Sequence, residues 1–198
     1  MLADMPLHII YSKFKALKEA GLRDQANEFA NIIVVEWGKT KDILFARQIA
    51  NDAIDGKINQ RLFRGILYPI IESGLEHNDK NAFIMAIKCV QNIYADKLVY
   101  KKLNYITEIQ LLKRLIDADP ANEWARIKYI DAITNWIKYC IHEWPTGILY
   151  GSDGATKDEC DDIIVTIDET SKMDIECRYA NLLCDAKSKT ILYKQRLS

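Results

Sequence analysis

The chain has 198 residues, of which 27 are basic and 28 acidic, with only 8 glycines and 4 prolines. Its hydrophobic content of 49% and net charge of −1 exclude a disordered chain, since disorder combines low hydrophobicity with high net charge. The scarcity of glycine and proline excludes collagen-like and low-complexity chains. A pI near 6.3 argues against a nucleic-acid partner bound by a uniformly basic surface.

The amino terminus and the cysteines bear on the compartment. Residues 1–10 contain Asp4 and Pro6 and no apolar run long enough for a secretory signal. No window resembles a membrane helix. The five cysteines are irregularly spaced, without a C-x-x-C pair, as expected of free thiols in a reducing compartment. We predict a cytoplasmic protein with no membrane partner, although a secreted protein that leaves without a signal would look the same.

Apolar residues recur with helical spacing along the chain. In residues 25–37, for example, Ala26, Phe29, Ile33 and Trp37 fall on one face of a helix. We predict nine helices, at about 8–20, 23–37, 41–55, 59–73, 79–95, 100–118, 121–143, 156–171 and 174–196. Short turns make neighbouring helices antiparallel. The predicted fold is all-α, with antiparallel hairpins in an α-solenoid or a compact multi-helix bundle. Residues 1–198 are predicted to form one domain, with a subdivision near 96–101 as the alternative.

Glycine and proline set several predicted boundaries. Gly21, Gly38, Gly56 and Gly74 each follow a helical stretch and are interpreted as helix stops. Pro69 lies inside a helical pattern and predicts a kink or a later start. The stripes at 82–94 and 103–116 require a break, which we place near Asp96–Lys101.

The segment Leu111–Ala125, LLKRLIDADPANEWA, carries the one family resemblance. Asp119 and Pro120 are predicted as N-cap and first helical residue. Together with Asn122, Trp124 and Ala125, they resemble the junction between consecutive tetratricopeptide repeats. A weaker match is Phe14–Ala30, and the two matches cover two helix pairs. The resemblance implies a TPR-like scaffold, which binds peptides or proteins.

Catalytic motifs are missing from the sequence. The three histidines, His8, His77 and His142, form no metal-binding spacing, and no phosphate-binding glycine loop or nucleophile elbow occurs. Cys177 and Cys184 are seven residues apart on one predicted helix face and are interpreted as core residues. We therefore predict no catalytic residue, no metal and no cofactor.

The sharpest feature is an acidic tract at residues 153–176. It holds nine acidic and two basic residues, a local charge of −7, and the tail that follows is basic. Thr156 and Glu159 predict a capping box at its start. One interpretation is structural: the carboxylates are stabilised at the start of a helix, or the basic tail lies against the acidic helix within the fold. The other is an acidic face for a basic partner.

A long irregular stretch, Trp144–Ala155, precedes this tract. Its sequence, WPTGILYGSDGA, contains three of the eight glycines. Such loops are often functional, and Trp and Tyr are enriched at binding hot spots. The alternative is that Trp144, Ile148 and Leu149 pack beneath the helices, with only Ser152–Ala155 exposed.

Two functional hypotheses result. The first is a non-enzymatic protein-binding module, or more narrowly an inhibitor or immunity protein that masks a basic partner. Its predicted partner-binding residues are Trp144, Tyr150, Asp153, Asp158, Glu159, Asp161 and Asp162. The second is a helical enzyme or ligand-binding protein whose site is assembled around His142, Glu143 and Asp153. Adjacent residues on a helix point in different directions, so His142 and Glu143 are not expected to meet within one helix.

Overall fold

The structure, a computed structural model, describes residues 5–197. It is 73% helical, with nine helices of seven residues or more among the described residues, which confirms the all-α prediction and the approximate helix number. The helices are α1 (Leu7–Glu19), α2 (Arg23–Thr40), α3 (Ile43–Asn51), α4 (Gln60–Leu62), α5 (Tyr68–Glu76), α6 (Lys80–Lys88), α7 (Val90–Ala95), α8 (Lys97–Lys102), α9 (Glu108–Ala118), α10 (Glu123–Cys140), α11 (Lys157–Met173) and α12 (Ala180–Arg196). A π-helical turn, Phe63–Leu67, joins α4 to α5, and strand β1 (Leu149–Tyr150) pairs antiparallel with β2 (Asp153–Gly154).

The chain divides into two compact units, residues 1–119 and residues 120–198. Residues 96–101 lie inside the first unit. That both units belong to a single domain remains a prediction. Within residues 5–197, no helix combines the length and the apolar character needed to cross a membrane.

In the first unit, helices approach one another closely at two glycines. A Cβ added at Gly65 would lie 2.6 Å from a Val34 methyl group, and one added at Gly74 would lie 2.3 Å from the Ala82 Cβ. Unbonded carbon atoms prefer separations of about 3.5–4.0 Å. Only glycine therefore allows the π-helical turn to lie against α2 and α5 to lie against α6.

The interpretation of three glycines as helix stops is wrong. Gly38 lies within α2 and Gly74 within α5, whereas Gly56 follows the end of α3 by five residues and occupies a tight turn. Gly21 is confirmed, since it follows α1 with a φ of +76°. A glycine near an apolar stripe signals either a stop or a close approach, and only the neighbouring helix distinguishes them.

Two predicted helices are divided and one has a local defect. The 79–95 helix breaks at Cys89. The predicted break near Asp96–Lys101 is confirmed, since α7 ends at Ala95 and α8 begins at Lys97. The predicted 100–118 helix is itself divided into α8 and α9 by a turn at residues 103–107. The π-helical turn ends two residues before Pro69, which is the second residue of α5 and cannot donate a backbone hydrogen bond.

A buried amide ties the connection after α3 to α7. The Asn92 side chain is fully buried, accepts a hydrogen bond from the Ile58 N–H (2.7 Å) and donates one to the Ile58 carbonyl (3.0 Å). Its Nδ2 also donates to Gln60 (2.7 Å). These bonds satisfy backbone groups that no regular element pairs.

In the second unit, the three long helices α10, α11 and α12 contact one another. Asn122 caps α10 by accepting from the Ala125 N–H (3.0 Å), and Asp119 follows the end of α9. The prediction of Asp119 and Pro120 as N-cap and first helical residue is therefore wrong. The resemblance to tetratricopeptide repeats remains a prediction.

The prediction that Cys177 and Cys184 pack in the core is also wrong, since both are exposed. Cys177 precedes α12 and has a φ of +54°, so it does not share a helix face with Cys184. The buried face of α12 consists instead of Leu183, Ala186 and Thr190.

Candidate partner-binding surface

Helix α11 begins at the capping box predicted from Thr156 and Glu159. The Thr156 hydroxyl accepts a hydrogen bond from the Glu159 N–H (3.3 Å), and the Glu159 carboxylate accepts one from the Thr156 N–H (2.8 Å). These two bonds satisfy backbone donors that have no partner inside the helix. The Glu159 carboxylate is thus occupied within the chain.

Two acidic residues of α11 pair with lysines of α12. The Lys194 ammonium lies 2.5 and 2.6 Å from the two Asp161 carboxylate oxygens, and Lys187 lies 2.6 and 2.8 Å from those of Asp168. Asp161 and Asp168 are seven residues apart and share the side of α11 that faces α12. The interpretation of the basic tail as an internal partner of the acidic helix is confirmed for these two pairs.

A second row of α11 residues is turned to solvent. Its members lie at offsets of 0, 4, 7 and 11 and are all exposed: Asp158, Asp162, Val165 and Glu169. Val165, in the middle of this acidic stripe, is 55% exposed. Within residues 5–197, neither Asp158 nor Asp162 forms an ion pair. The stripe lies opposite the buried residues Cys160, Ile163 and Ile167, as an amphipathic helix requires.

The loop before α11 contains a short hairpin packed on α10. The Tyr150 ring meets the Trp136 ring edge to face, with 6.0 Å between centroids, and the Tyr139 hydroxyl donates to the Gly151 carbonyl (2.8 Å). Ile148, just before the hairpin, is fully buried. Asp153 is exposed on β2, and within residues 5–197 the one hydrogen bond to its carboxylate comes from the Ser152 hydroxyl (3.2 Å). Tyr150 and Ile148 thus anchor the loop, whereas Asp153 faces solvent.

Trp144 packs within the second unit. The Arg196 guanidinium lies 4.9 Å from the centre of the Trp144 ring, and its Nη1 donates to the Pro145 carbonyl (3.1 Å). This arrangement leaves the indole half-buried. A cation over an indole face is attracted to it, so Trp144 attaches the end of α12 to the loop.

The residues of the alternative site are only partly together. His142 Nε2 lies 2.8 Å from a Glu143 carboxylate oxygen. The expectation that the two would not meet is wrong, because α10 ends at Cys140 and both residues lie in the turn that follows. His142 Nδ1 lies 2.7 Å from the Tyr139 carbonyl. Within residues 5–197, Asp153 forms no hydrogen bond or ion pair with either residue.

The buried thiol of α11 is a poor nucleophile. Burial, followed by the adjacent Asp161 charge, raises the pKa of the Cys160 thiol, which keeps it protonated and poorly nucleophilic. Among residues 5–197, no three His, Cys, Asp or Glu side chains come together as metal ligands.

Comparison with known proteins identifies no relative. No family model matches the chain, and neither a curated protein nor a solved structure gives a significant match. Interpretation of the surface therefore depends on its own geometry.

Sequence reasoning missed the two outward members at the carboxyl end of the stripe. Val165 and Glu169 continue the spacing of Asp158 and Asp162, and this helical periodicity was the available signal. The pairing of Asp161 with Lys194 had no such signal, because 33 residues separate them.

Proposed function

We propose that this chain is a non-enzymatic protein-binding module that presents the acidic stripe of α11 to a basic partner. The observation that carries the proposal is that Asp158 and Asp162 stay exposed without an ion pair while neighbouring acids are paired with α12. Opposite charge across an interface raises association rate and selectivity. Val165 adds an exposed apolar contact at the centre of the stripe.

The hairpin β1–β2, which precedes α11 in the chain, supports the proposal because it supplies a further acidic residue on an ordered loop. Asp153 is exposed beside Tyr150, whose ring is fixed by Trp136. A fixed loop loses little conformational entropy on binding. Of the residues predicted for the surface, Asp153, Asp158 and Asp162 would contact the partner directly. Trp144, Tyr150, Glu159 and Asp161 are assigned the supporting role, because their contacts lie within the unit.

A TPR-like scaffold and a cytoplasmic location belong to the same proposal. The hairpins α1–α2, α5–α6 and α11–α12 agree with a helical scaffold. All five cysteines are free, and three of them are buried, which supports a reducing compartment.

The test compares three baits: the wild-type chain, D158K/D162K and D24K/E28K. Asp24 and Glu28 make a matched control, because they occupy the second and sixth positions of α2, as Asp158 and Asp162 do in α11. Both pairs are exposed, and each double variant changes the charge equally. Asp161 is left intact, since its reversal would also break the contact with Lys194.

Each bait is incubated with lysate of the native host, and bound proteins are quantified by mass spectrometry at low and high salt. We expect a basic protein that is retained by the wild type and D24K/E28K but lost with D158K/D162K. With that protein purified, the stripe variant should associate about tenfold more slowly or worse at low salt, with a smaller difference at high salt. Identical sets of bound proteins on all three baits would contradict the proposal.

The narrower proposal is an inhibitor or immunity protein. It requires that the captured partner be a basic enzyme and that the wild-type chain suppress its activity. D158K/D162K should suppress that activity less than D24K/E28K does. A partner that keeps full activity when saturated with the chain would favour an adaptor instead.

A further inference from the structure

A groove in the first unit carries a rim of cations. It lies between α1, the start of α2 and the turn after α3, and has a volume of about 570 Å³. Cavities of this size are typical of small-molecule sites. Its apolar lining includes Phe14, Ile54 and Ile58, and its rim holds Lys18, Arg23 and Lys57. We call this feature the basic groove.

The three cations at the rim form no ion pair among the described residues. Within residues 5–197, the lining of the basic groove contains no carboxylate. The adjoining cavity does contain Asp52, but this carboxylate is already paired with Lys15 at 3.1 Å. Glu19 also lines that adjoining cavity. The lining of the basic groove itself therefore carries three cations and no carboxylate.

Arg23 occupies an unfavourable position for a cation. It is the first residue of α2, and no side chain caps this helix at Leu22. The partial positive charge of a helix amino terminus favours anions and disfavours cations. Lys18, in contrast, lies in the last turn of α1, where the partial negative charge of the helix carboxyl terminus stabilises a cation. Arg23 adds its charge to the partial positive charge of this helix start, and the exposed Asp24 lies in the same first turn. A cation at an uncapped helix start would favour an anion there.

The wall that carries Lys57 is held in place. Asp55 and Gly56 have φ values of +49° and +74°, as in a type I′ turn, and the Ile54 and Lys57 backbones are hydrogen-bonded to each other (2.9 and 3.1 Å). The Gly56 carbonyl accepts from the Gln91 N–H (2.9 Å). The next residue, Ile58, is tied to the buried Asn92. A preformed wall reduces the ordering cost of binding.

Ile54 is an exposed apolar residue at the groove. Its side chain is 68% exposed although it lines the groove, whereas Phe14 and Ile58 are buried beneath it. Burying apolar surface is favourable in proportion to the area removed from water. The groove thus combines an apolar floor, an exposed apolar side chain and a cationic rim.

We propose that the basic groove binds an anionic amphipathic small molecule. Its carboxylate or phosphate would meet the three rim cations, and its apolar chain would lie on the floor. Both headgroups can accept charge-assisted hydrogen bonds from lysine and arginine. This site lies in the first unit and is independent of the acidic stripe.

Isothermal titration calorimetry with defined probes tests the site. The probes are octanoate, decanoate and octyl phosphate, each below its micelle concentration, with 1-octanol as the uncharged control. We expect saturable one-site binding of the anions and at least tenfold weaker binding of 1-octanol. Decanoate should bind about tenfold more tightly than octanoate, since each buried methylene contributes to binding. The ratio between octanoate and octyl phosphate distinguishes the two headgroups.

Variants connect this binding to the named residues. K18M/K57M should weaken octanoate binding by about tenfold or more, because it removes two charged donors. K97M/K101M is the matched control, with two exposed lysines of α8 in the same unit, and should bind as the wild type does. I54E should abolish binding of the anions. This variant should remain folded, because Ile54 is exposed. Circular dichroism and thermal unfolding verify that each variant is folded.

Four results would overturn the proposal. They are equal affinity for 1-octanol and octanoate, unchanged binding by folded I54E, absence of saturable binding for every anion, and tighter binding of a hexaglutamate peptide than of decanoate. The last result would assign the groove to an acidic peptide.

Discussion

The close approach of α5 and α6 at Gly74 allows a quantitative prediction for G74A. The added Cβ would lie 2.3 Å from the Ala82 Cβ and 3.4 Å from the Asp79 Cβ. Because Ala82 belongs to α6 and its Cβ has no torsion that could move it aside, relief requires a displacement of the helices. Asp79, whose N–H donates to the Gly74 carbonyl (2.8 Å), restrains that displacement.

Two opposing terms set the expected stability of G74A. Overpacking of a core costs about 1–3 kcal/mol, and replacing glycine with alanine within a helix recovers about 1 kcal/mol. We expect G74A to lower the free energy of unfolding by up to about 2 kcal/mol. Gly38 is the matched control, because it also lies within a helix but has no atom within 4 Å of an added Cβ. G38A should raise the free energy of unfolding by about 0.5–1 kcal/mol.

Urea unfolding followed by circular dichroism measures both variants. A double-mutant cycle with A82G then isolates the contact, since A82G removes the methyl group that the new Cβ would strike. G74A/A82G should be more stable than the sum of the single effects predicts, by about 1–2 kcal/mol. If G74A is as stable as G38A, or if the cycle shows no coupling, the close approach of α5 and α6 is refuted.

Three other predictions concern the stability of a buried amide, the pH dependence of an ion pair and the reactivity of the cysteines. N92L should lower the free energy of unfolding by about 2–4 kcal/mol, because the Ile58 N–H and carbonyl lose their buried partner; a loss under about 1 kcal/mol in urea unfolding would contradict this. A hydrogen bond from Arg64 lowers the pKa of Asp96 in the folded protein. The Asp96 carboxylate therefore stabilises the folded state above the pKa that it has in the unfolded chain, and this stability is lost as the pH falls through its folded pKa. R64M should therefore lose less stability than the wild type between about pH 5 and pH 2, and parallel pH profiles would argue against the pair. Iodoacetamide should alkylate the exposed Cys177 and Cys184 in the native protein but spare Cys89 and Cys140, whose burial raises the thiol pKa to about 12 and about 11. Peptide mass spectrometry reads out this pattern, and modification of Cys89 before Cys177 would refute it.

The helices were predictable because their signals are local. The spacing of Ala26, Ile33 and Trp37 places them on one face, and all three are buried in α2. The capping box of Thr156 and Glu159 operates over three residues and was predicted correctly. Asp119 was misassigned because Asn122, three residues later, offers an equally good cap, and only the backbone path selects between them.

Part of the candidate surface was predictable for the same reason. Asp158 and Asp162 stand out in the sequence as an acidic tract, and the structure leaves both exposed. The basic groove had no such signal. Its cations come from α1, α2 and the turn after α3, and the Asp55–Gly56 pair, which is typical of a tight turn, was interpreted instead as a helix stop.

By itself, the sequence determined where helices form and where acidic charge is concentrated, because helix formation depends on contacts within about four residues. Tertiary structure alone decided which of those charges remain available. Asp158 and Asp161 belong to the same tract, yet Asp161 is held by Lys194 from 33 residues away and Asp158 faces solvent. The physical reason is that the contact of α12 with one side of α11 assigns each carboxylate to an internal partner or to the surface.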